Sequence, residues 1–421
     1  MDIHSMVRPS KPYDLYYYDS ETSKHQAFAT TFNTRYSQDI PNKAGGTSSF
    51  ILPPQNGYTD IVISATIAGP ASSPGAIALP RGWLWALIDT VSFRYGGSSQ
   101  YFLSGDQLLQ NALRAQTSRS SCNDLLTLGG NYATGAQLVG TQSASVVLTL
   151  PHNHPCGSGK KNPLPSDLLT QQILVQVTLR PLGQIVTNAT GAALPAVFQT
   201  LDTASFTVAQ IMLNNQGDAL ARRVDMSQSV YAYPAEFVQQ VVRVPVPNSS
   251  TSSQSLVLTG FRAGQVKSLE CWLTRAVDTA VGSSTLGDTV GYNPFNWYLP
   301  TALRVTYSGE VFANFQGSSA PLWNLINNNK SSAFDNITVS AAGGAITAVT
   351  SAISQWVSAP FAQPLVDEDA HFIQISGRNI TNGIINIDLT TPSAQNDWTL
   401  NVSYVYCCTI LFSSGTADFV F

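Results

Sequence analysis

Apolar and polar residues trade places in short runs over most of this chain, and glycine, proline or asparagine separates one run from the next. Period-two alternation bounded by turn residues predicts half-buried strands. SSFILPPQNGYTDIVISATI reads as two strands around a turn at Pro53 to Gly57, and Val91, Phe93 and Tyr95 form a third run that Trp83, Trp85, Leu87 and Ile88 precede and Gly96-Gly97 closes. SVVLTL, ending at Leu150 after a glycine-rich loop from Gly129, gives another strand, as do Ile173, Val175, Val177 and Leu179. Further on, SQSLVLTGFRAGQVKSLECWLTR predicts two strands around Ala263-Gly264, and a long loop follows from Asp278 to Tyr298. IINIDLT and WTLNVSYVYCCTILFSSGTADFVF predict a closing strand pair. One short helix is predicted, Gly105 to Arg114, with Asp106 near its start. Many short strands and few helices describe an all-β sandwich.

The pattern breaks once, near the middle. Phe206, Val208, Ile211 and Leu213 alternate, QGDALARRVDMSQS interrupts them as a charged, helix-prone link, and Phe237, Val241 and Val244 resume. Each side is long enough to close a core of its own. A phrase also recurs: LPRGWLWALIDTVSFRYGG from Leu79 and LPTALRVTYSG from Leu299 align Val91 with Val305 and Phe93 with Tyr307, a spacing of 214 residues that extends to Ser104 with Ser318 and Leu108 with Leu322. The expectation is two tandem sandwiches of related structure. Residues 1–28, tyrosine-rich at Tyr13, Tyr16, Tyr17 and Tyr18, read as an arm outside the first core, either clasping a neighbouring subunit or a membrane-side partner, or folded on its own domain.

Charge changes the picture by its scarcity. Charged residues make up 11% of the chain against 43% hydrophobic ones, so copies feel little long-range repulsion and the surface suits permanent assembly. A secreted β-sandwich shares this Ser/Thr-rich character. The N-terminal stretch balances Arg8, Lys11 and Lys24 against Asp2, Asp14, Asp19 and Glu21, so direct nucleic-acid binding is not expected. That stretch lacks the apolar core of a secretory signal, which points to the cytoplasm or nucleus. Cys122, Cys156, Cys271, Cys407 and Cys408 form no spaced framework and are expected to be reduced. Sequons at Asn188, Asn248, Asn329, Asn336, Asn379 and Asn401 are then by-products of composition.

Candidate chemistry is thin. His152, His154 and Cys156 have ligand character, but Pro155 interrupts them and no fourth partner stands at a known spacing. GSGKK resembles the end of a phosphate loop, yet its leading glycine is missing and Asn162 replaces the magnesium-binding hydroxyl residue. Asp367, Glu368 and Asp369 with His371 lack a spaced calcium loop, and none of the five histidines sits in a nucleophile phrase. No catalytic, cofactor-binding or metal site is expected, and the chain reads as a non-enzyme. Tyr292, Trp297 and Tyr298 could stack on a sugar in a viral spike or a carbohydrate- or receptor-binding sandwich, or else line the edge of a core.

Taken in order, ILPPQNGYTDIVISATI with GWLWALIDTVSFRYGGS, then NPLPSDLLTQQILVQVTL, YPAEFVQQVVRVPV, LVLTGFRAGQVKSLECWLT and the closing GRNITNGIINIDLT resemble the double jelly-roll major capsid proteins of double-stranded DNA viruses, the lineage of nucleocytoplasmic large DNA viruses, polinton-like viruses and virophages. The chain departs from the giant-virus members in being short. The resemblance implies two tandem eight-stranded jelly-roll sandwiches with a few short helices: an arm at 1–28, a first jelly roll at 29–215, a linker at 216–229 and a second jelly roll at 230–421. It also implies a homotrimer that acts as a pseudo-hexameric capsomer of an icosahedral shell, placed in the virion after assembly in host cytoplasm or nucleus. Its implied neighbours are other capsomers, penton and minor or cement capsid proteins, and an internal membrane.

Overall fold

In chain order the first half runs β1 (Phe28–Arg35), β2 (Thr47–Leu52), β3 (Tyr58–Ala68), β4 (Ile77–Ala78), α1 (Trp83–Leu87), β5 (Ile88–Tyr95), β6 (Ser99–Ser104), α2 (Gly105–Arg114), β7 (Thr141–Leu148), β8 (Ile173–Leu179), β9 (Thr187–Asn188) and β10 (Thr203–Leu213). The second half continues with β11 (Tyr231–Val238), β12 (Val242–Pro245), β13 (Ser253–Leu258), β14 (Gly264–Arg275), β15 (Ala302–Tyr307), β16 (Glu310–Gln316), β17 (Val339–Ala342), β18 (Ala345–Val349), β19 (Val357–Pro360), β20 (Arg378–Ile380), β21 (Ile385–Thr390), β22 (Trp398–Ser413) and β23 (Thr416–Val420). The computed structural model describes residues 28–35, 46–52, 58–68, 77–78, 82–95, 99–114, 124–125, 127–130, 141–148, 169–180, 185, 187–188, 203–213, 231–239, 241–246, 253–275, 297–316, 339–342, 345–349, 357–361, 378–380, 384–392, 397–413 and 415–421. Residues 1–27 of the arm, the linker at 216–229 and the turn at Pro53 to Gly57 lie outside these described residues, whereas Phe28, the last residue of the expected arm, opens β1.

Antiparallel pairing sorts the first half into two four-stranded sheets, β1-β10-β3-β7 and β2-β8-β5-β6. The second half forms β11-β22-β14-β19, widened by β12 and β23 on β22 and by β20 on β14, opposite the four-stranded β13-β21-β15-β16. If the eight principal strands of each half are numbered in chain order, both halves read 1-8-3-6 in one sheet and 2-7-4-5 in the other. That shared order is the jelly roll, two facing sheets joined by Greek-key crossovers. The expected all-β fold of two tandem sandwiches is therefore present.

The recurrent phrase falls at equivalent places. Val91 of β5 stands opposite Val177 of β8, and Val305 of β15 stands opposite Ile387 of β21; Phe93 and Tyr307 then face Val175 and Ile385. All four phrase residues are buried, each pair in the core of its own half. The match fails one strand later. Ser104 pairs with Thr90, but the residue opposite Arg304 is Asn314, so the spacing drops from 214 to 210 in β6 and β16. Ser318 and Leu322 lie outside the described residues.

Other expectations need correcting. Trp83 to Leu87 are helical instead of a lead-in to the strand, since Gly82 N donates to Gly130 O at 2.9 Å and Leu84 N to Gly129 O at 3.0 Å, which anchors the turn. Gly130 has φ 126°, and a Cβ there would stand 2.2 Å from Cδ1 of Trp83, so only glycine admits the buried indole. β7 begins at Thr141, inside the stretch expected to be loop to Ser145. The final strands β21 and β22 do not pair with each other: β21 lies between β13 and β15, whereas β22 lies between β11 and β14 in the opposite sheet. Nor does each half close its core alone. The buried cluster of the first half takes in Ala235, Val238, Trp272, Trp297, Val405, Cys408, Ile410, Phe412 and Ala417 of the second.

Phe93→Ala and Tyr307→Ala should each cost about 3 to 5 kcal/mol, as truncation of a buried ring does. Urea unfolding of the two variants checks this, and a loss below about 1 kcal/mol at either site would remove that ring from its core.

Candidate functional site

Among the described residues, a connected set of hydrogen bonds crosses the seam between the two sandwiches, and α2 builds it. Ser104 and Gln107 form a reciprocal capping box: Ser104 Oγ accepts from Gln107 N at 3.4 Å, and Gln107 Oε1 accepts from Ser104 N at 3.1 Å. With its oxygen so engaged, the Gln107 amide points its nitrogen at the second half, where Nε2 donates to Ser403 Oγ at 3.0 Å and to the Gln239 carbonyl. Ser403 Oγ donates to the same carbonyl at 3.3 Å, and Tyr406 Oη donates to Gln239 Oε1 at 2.9 Å. Tyr101 Oη accepts from Val238 N at 3.3 Å, and Thr170 N donates to Gly415 O at 3.0 Å. Gly415 has φ 80°, and a Cβ there would meet Thr170 Cγ2 at 2.3 Å, so backbone approaches side chain closely across this seam.

Aromatic rings fill the space beside these bonds. Phe419 stands edge-on to Tyr95 at 5.6 Å, and Phe237 edge-on to Tyr101 at 5.0 Å; Phe421 meets Phe237 at 4.9 Å and receives the Arg262 guanidinium over its face at 4.0 Å. Asp106, on the first turn of α2, is buried 3.9 Å from Arg243 of the second half. Burial raises its carboxyl pKa above the usual range; Arg180 and Arg243 oppose that rise without cancelling it. The thiols of Cys271 and Cys408 are likewise pushed up by burial, and no disulfide joins Cys271, Cys407 or Cys408. Cys122 and Cys156 lie outside the described residues.

The outer faces of the sheets are of another kind. On the first sandwich, hydroxyls and amides bond to one another across strands: Ser64 to Ser145 at 2.7 Å, Thr66 to Ser143 at 3.1 Å, Thr47 to Thr178 at 3.0 Å, and Gln176 to both Ser92 and Ser49. On the second sandwich, register aligns Ser255, Asp388, Arg304 and Asn314 in one row, with Ser255 Oγ donating to Asp388. A shallow concavity of about 340 Å³ lies over that row. Ile51 and Phe102 are exposed on the first half, and Val257, Val311 and Ile384 on the second. Such surfaces are apolar or uncharged enough to meet another protein face without stripping water from many charges.

His152, His154, Cys156, the GSGKK phrase, Asp367, Glu368, Asp369, His371 and Tyr292 lie outside the described residues. Among the described residues, no cluster of His, Cys, Asp and Glu could hold a metal ion, and no helix is long and apolar enough to cross a membrane. Trp297 is buried and packs on Trp272 at 5.9 Å, while Tyr298 stands edge-on to Trp398 at 5.1 Å. Trp297 is a core residue, and Tyr298 is half-buried against the core of the second half. Asn401 is also buried, with Nδ2 donating to Thr274 Oγ1 at 2.9 Å, so its sequon carries no glycan in this fold.

No family model and no curated protein matches the sequence. Solved structures do match over nearly the whole chain. VP54 of PBCV-1, in a crystal structure fitted into a cryo-EM reconstruction of the virophage Sputnik, aligns with TM-score 0.66 at 14% identity, covering 96% of this chain and 99% of that one. The fold is the double jelly roll. The Faustovirus major capsid protein has the same double jelly roll at TM-score 0.54 and 9% identity, covering 95% of this chain and 92% of its own. The mavirus major capsid protein matches at TM-score 0.53 and 11% identity, with 93% and 90% covered. At such identities the double jelly roll is conserved in strand order while the surfaces are this chain's own.

Gln107→Ala should destabilise the protein by about 1 to 3 kcal/mol, because it leaves the buried Gln239 carbonyl and Ser403 hydroxyl short of a donor; urea unfolding measures this. Asp106→Asn acts with a pH signature. A carboxyl whose pKa is raised by folding holds its proton more tightly in the folded state, so stability falls as pH rises from the ordinary carboxyl range through the raised one. The Asn variant should therefore be more stable than wild type at neutral pH and should lose that advantage below about pH 3. Unfolding midpoints at the two pH values give the comparison.

Proposed function

We propose that this chain is a major capsid protein, three copies of which form a pseudo-hexameric capsomer that tiles an icosahedral shell. What carries the reading is the repeated strand order: one chain supplies two jelly rolls locked at a bonded seam, so three chains supply the six similar blocks that a hexagonal tile requires. Likeness in fold to the PBCV-1, Faustovirus and mavirus proteins supports it. So does the surface, whose hydroxyl and amide rows suit burial in the large obligate interfaces of a shell, typically a few thousand Å². The domain limits proposed with this role are the arm at 1–28, jelly rolls at 29–215 and 230–421, and the linker at 216–229.

In this role the chain is structural and not an enzyme, and it belongs to the virion. Neighbouring capsomers, pentons, minor or cement proteins and an underlying membrane are its proposed contacts, with no direct grip on nucleic acid. A spike or sugar-binding sandwich fits less well. That reading needs Trp297 and Tyr298 on an open stacking surface, and both are packed against other indoles.

The purified chain should be a trimer by light scattering at micromolar concentration, and the trimer should persist between about 0.1 M and 1 M salt, where charge pairs at a surface are screened. A stable monomer under these conditions would count decisively against the capsomer.

A further inference from the structure

In the second sandwich the sheet β13-β21-β15-β16 turns Leu303, Val305, Ile387 and Leu389 to the core, and its opposite face is hollow. Ala302 makes it so. Register sets Ala302 of β15 between Thr390 of β21 and Gln316 of β16, so a single methyl stands where each neighbour carries a longer polar side chain. Adjacent strands lie about 4.8 Å apart, which makes the gap roughly 10 Å across. The concavity of about 340 Å³ over it is near the lower end of small-molecule sites, a size that suits a sugar ring.

The next row along the strands supplies charge. Arg304 stands opposite Asp388 on one side and Asn314 on the other. Opposite charges placed so commonly pair across strands, but Asp388 accepts from Ser255 instead. Among the described residues the Arg304 guanidinium makes no ion pair and the Asn314 amide no hydrogen bond, and both side chains are exposed. A guanidinium fork is matched to a planar carboxylate, which accepts two parallel N–H bonds. The rest of the lining is hydroxyl, amide and the second oxygen of Asp388, which suits a ligand rich in hydroxyls. A neutral polyol would leave the guanidinium unanswered, and a simple anion would leave Asp388 and the amides unused.

We propose that this hollow binds a carboxylated sugar of the kind that ends cell-surface glycans, with its carboxylate on Arg304, its hydroxyls on Asp388, Asn314 and Gln316, and its ring over the Ala302 methyl. Aromatic stacking has no part in it, so the packing of Trp297 and Tyr298 does not bear on this site. The site lies within one sandwich and does not depend on how many chains assemble.

Saturation-transfer difference NMR on the full chain tests this, with sialyllactose and glucuronic acid as carboxylated probes and lactose as the neutral control. At least one carboxylated probe should bind with a Kd of roughly 1 mM, and lactose should not. Raising salt from about 0.05 M to about 0.5 M should weaken binding while the trimer persists. Arg304→Ala should weaken it at least about tenfold, and Ala302→Gln, which fills the hollow and keeps the guanidinium, should abolish it. Equal binding of lactose, or undiminished binding by either variant, overturns the site, as does a folded trimer that binds neither carboxylated probe at about 10 mM; each of these leaves the capsomer standing. Binding by a chain that stays monomeric supports the site and counts against the capsomer.

Discussion

A strand with water on neither face must find an apolar or hydrogen-bonded partner for every side chain it carries, and β22 is under that constraint from Leu400 to Cys408. Tyr404, Val402 and Leu400 belong to the core of the second sandwich, while Val405 joins the core of the first. The polar side chains in the run are the sensitive ones, because a buried donor or acceptor without a partner costs about 1 to 3 kcal/mol. Asn401 is satisfied by Thr274 within its own sheet. Ser403 donates to the Gln239 carbonyl of its own half and accepts from Gln107 across the seam, so the helix that follows β6 and the last long strand of the chain are tied to each other.

From that mutual dependence follows the way the molecule holds together. The seam contains bonds from a helix, two strands and a turn, so the two sandwiches share one buried cluster instead of meeting as two finished domains. Interfaces between separate domains are commonly smaller and more polar, and they permit relative motion. Here a change of angle between the sandwiches would expose Trp272 and Trp297 and unpair Gln107 together. The orientation of the two blocks is thus fixed within the monomer, before any other chain is met.

The sequence made the strands readable wherever one face meets water. β8 alternates cleanly between buried and half-buried positions, and the four alternating residues predicted for it, Ile173, Val175, Val177 and Leu179, are its buried ones. Alternation fails as a guide where both faces are covered. β22 reads WTLNVSYVYCCTILF, which alternates as far as Ser403 and is continuously apolar from Tyr404 to Cys408, the mark of a strand buried on both sides, and reading it as a simple partner for IINIDLT missed its place between the two cores. α1 was missed for a related reason: its residues are all buried, so no polar face marks the helical period, and its start depends on a carbonyl of Gly130 far along the chain. The capping box of α2 was not predicted, although Ser104 and Gln107 stand three residues apart, and the second role of Gln107 leaves no local signal, since its partner Ser403 lies 296 residues away.

Duplication gives a double jelly roll something that a single sandwich lacks, namely two versions of each face that can diverge. In the first half the row across β2, β8, β5 and β6 is Thr47, Thr178, Thr90 and Ser104; at the matching register of the second half it is Ser255, Asp388, Arg304 and Asn314. An uncharged row can approach many surfaces with little desolvation penalty, whereas a row that holds Asp388 beside Arg304 resists any partner that cannot answer both charges. Two identical blocks would have to carry one compromise between these properties. Two joined blocks separate them, so that one sheet can remain permissive while its counterpart discriminates, and the seam at Gln107 keeps the two at a fixed angle while they do so.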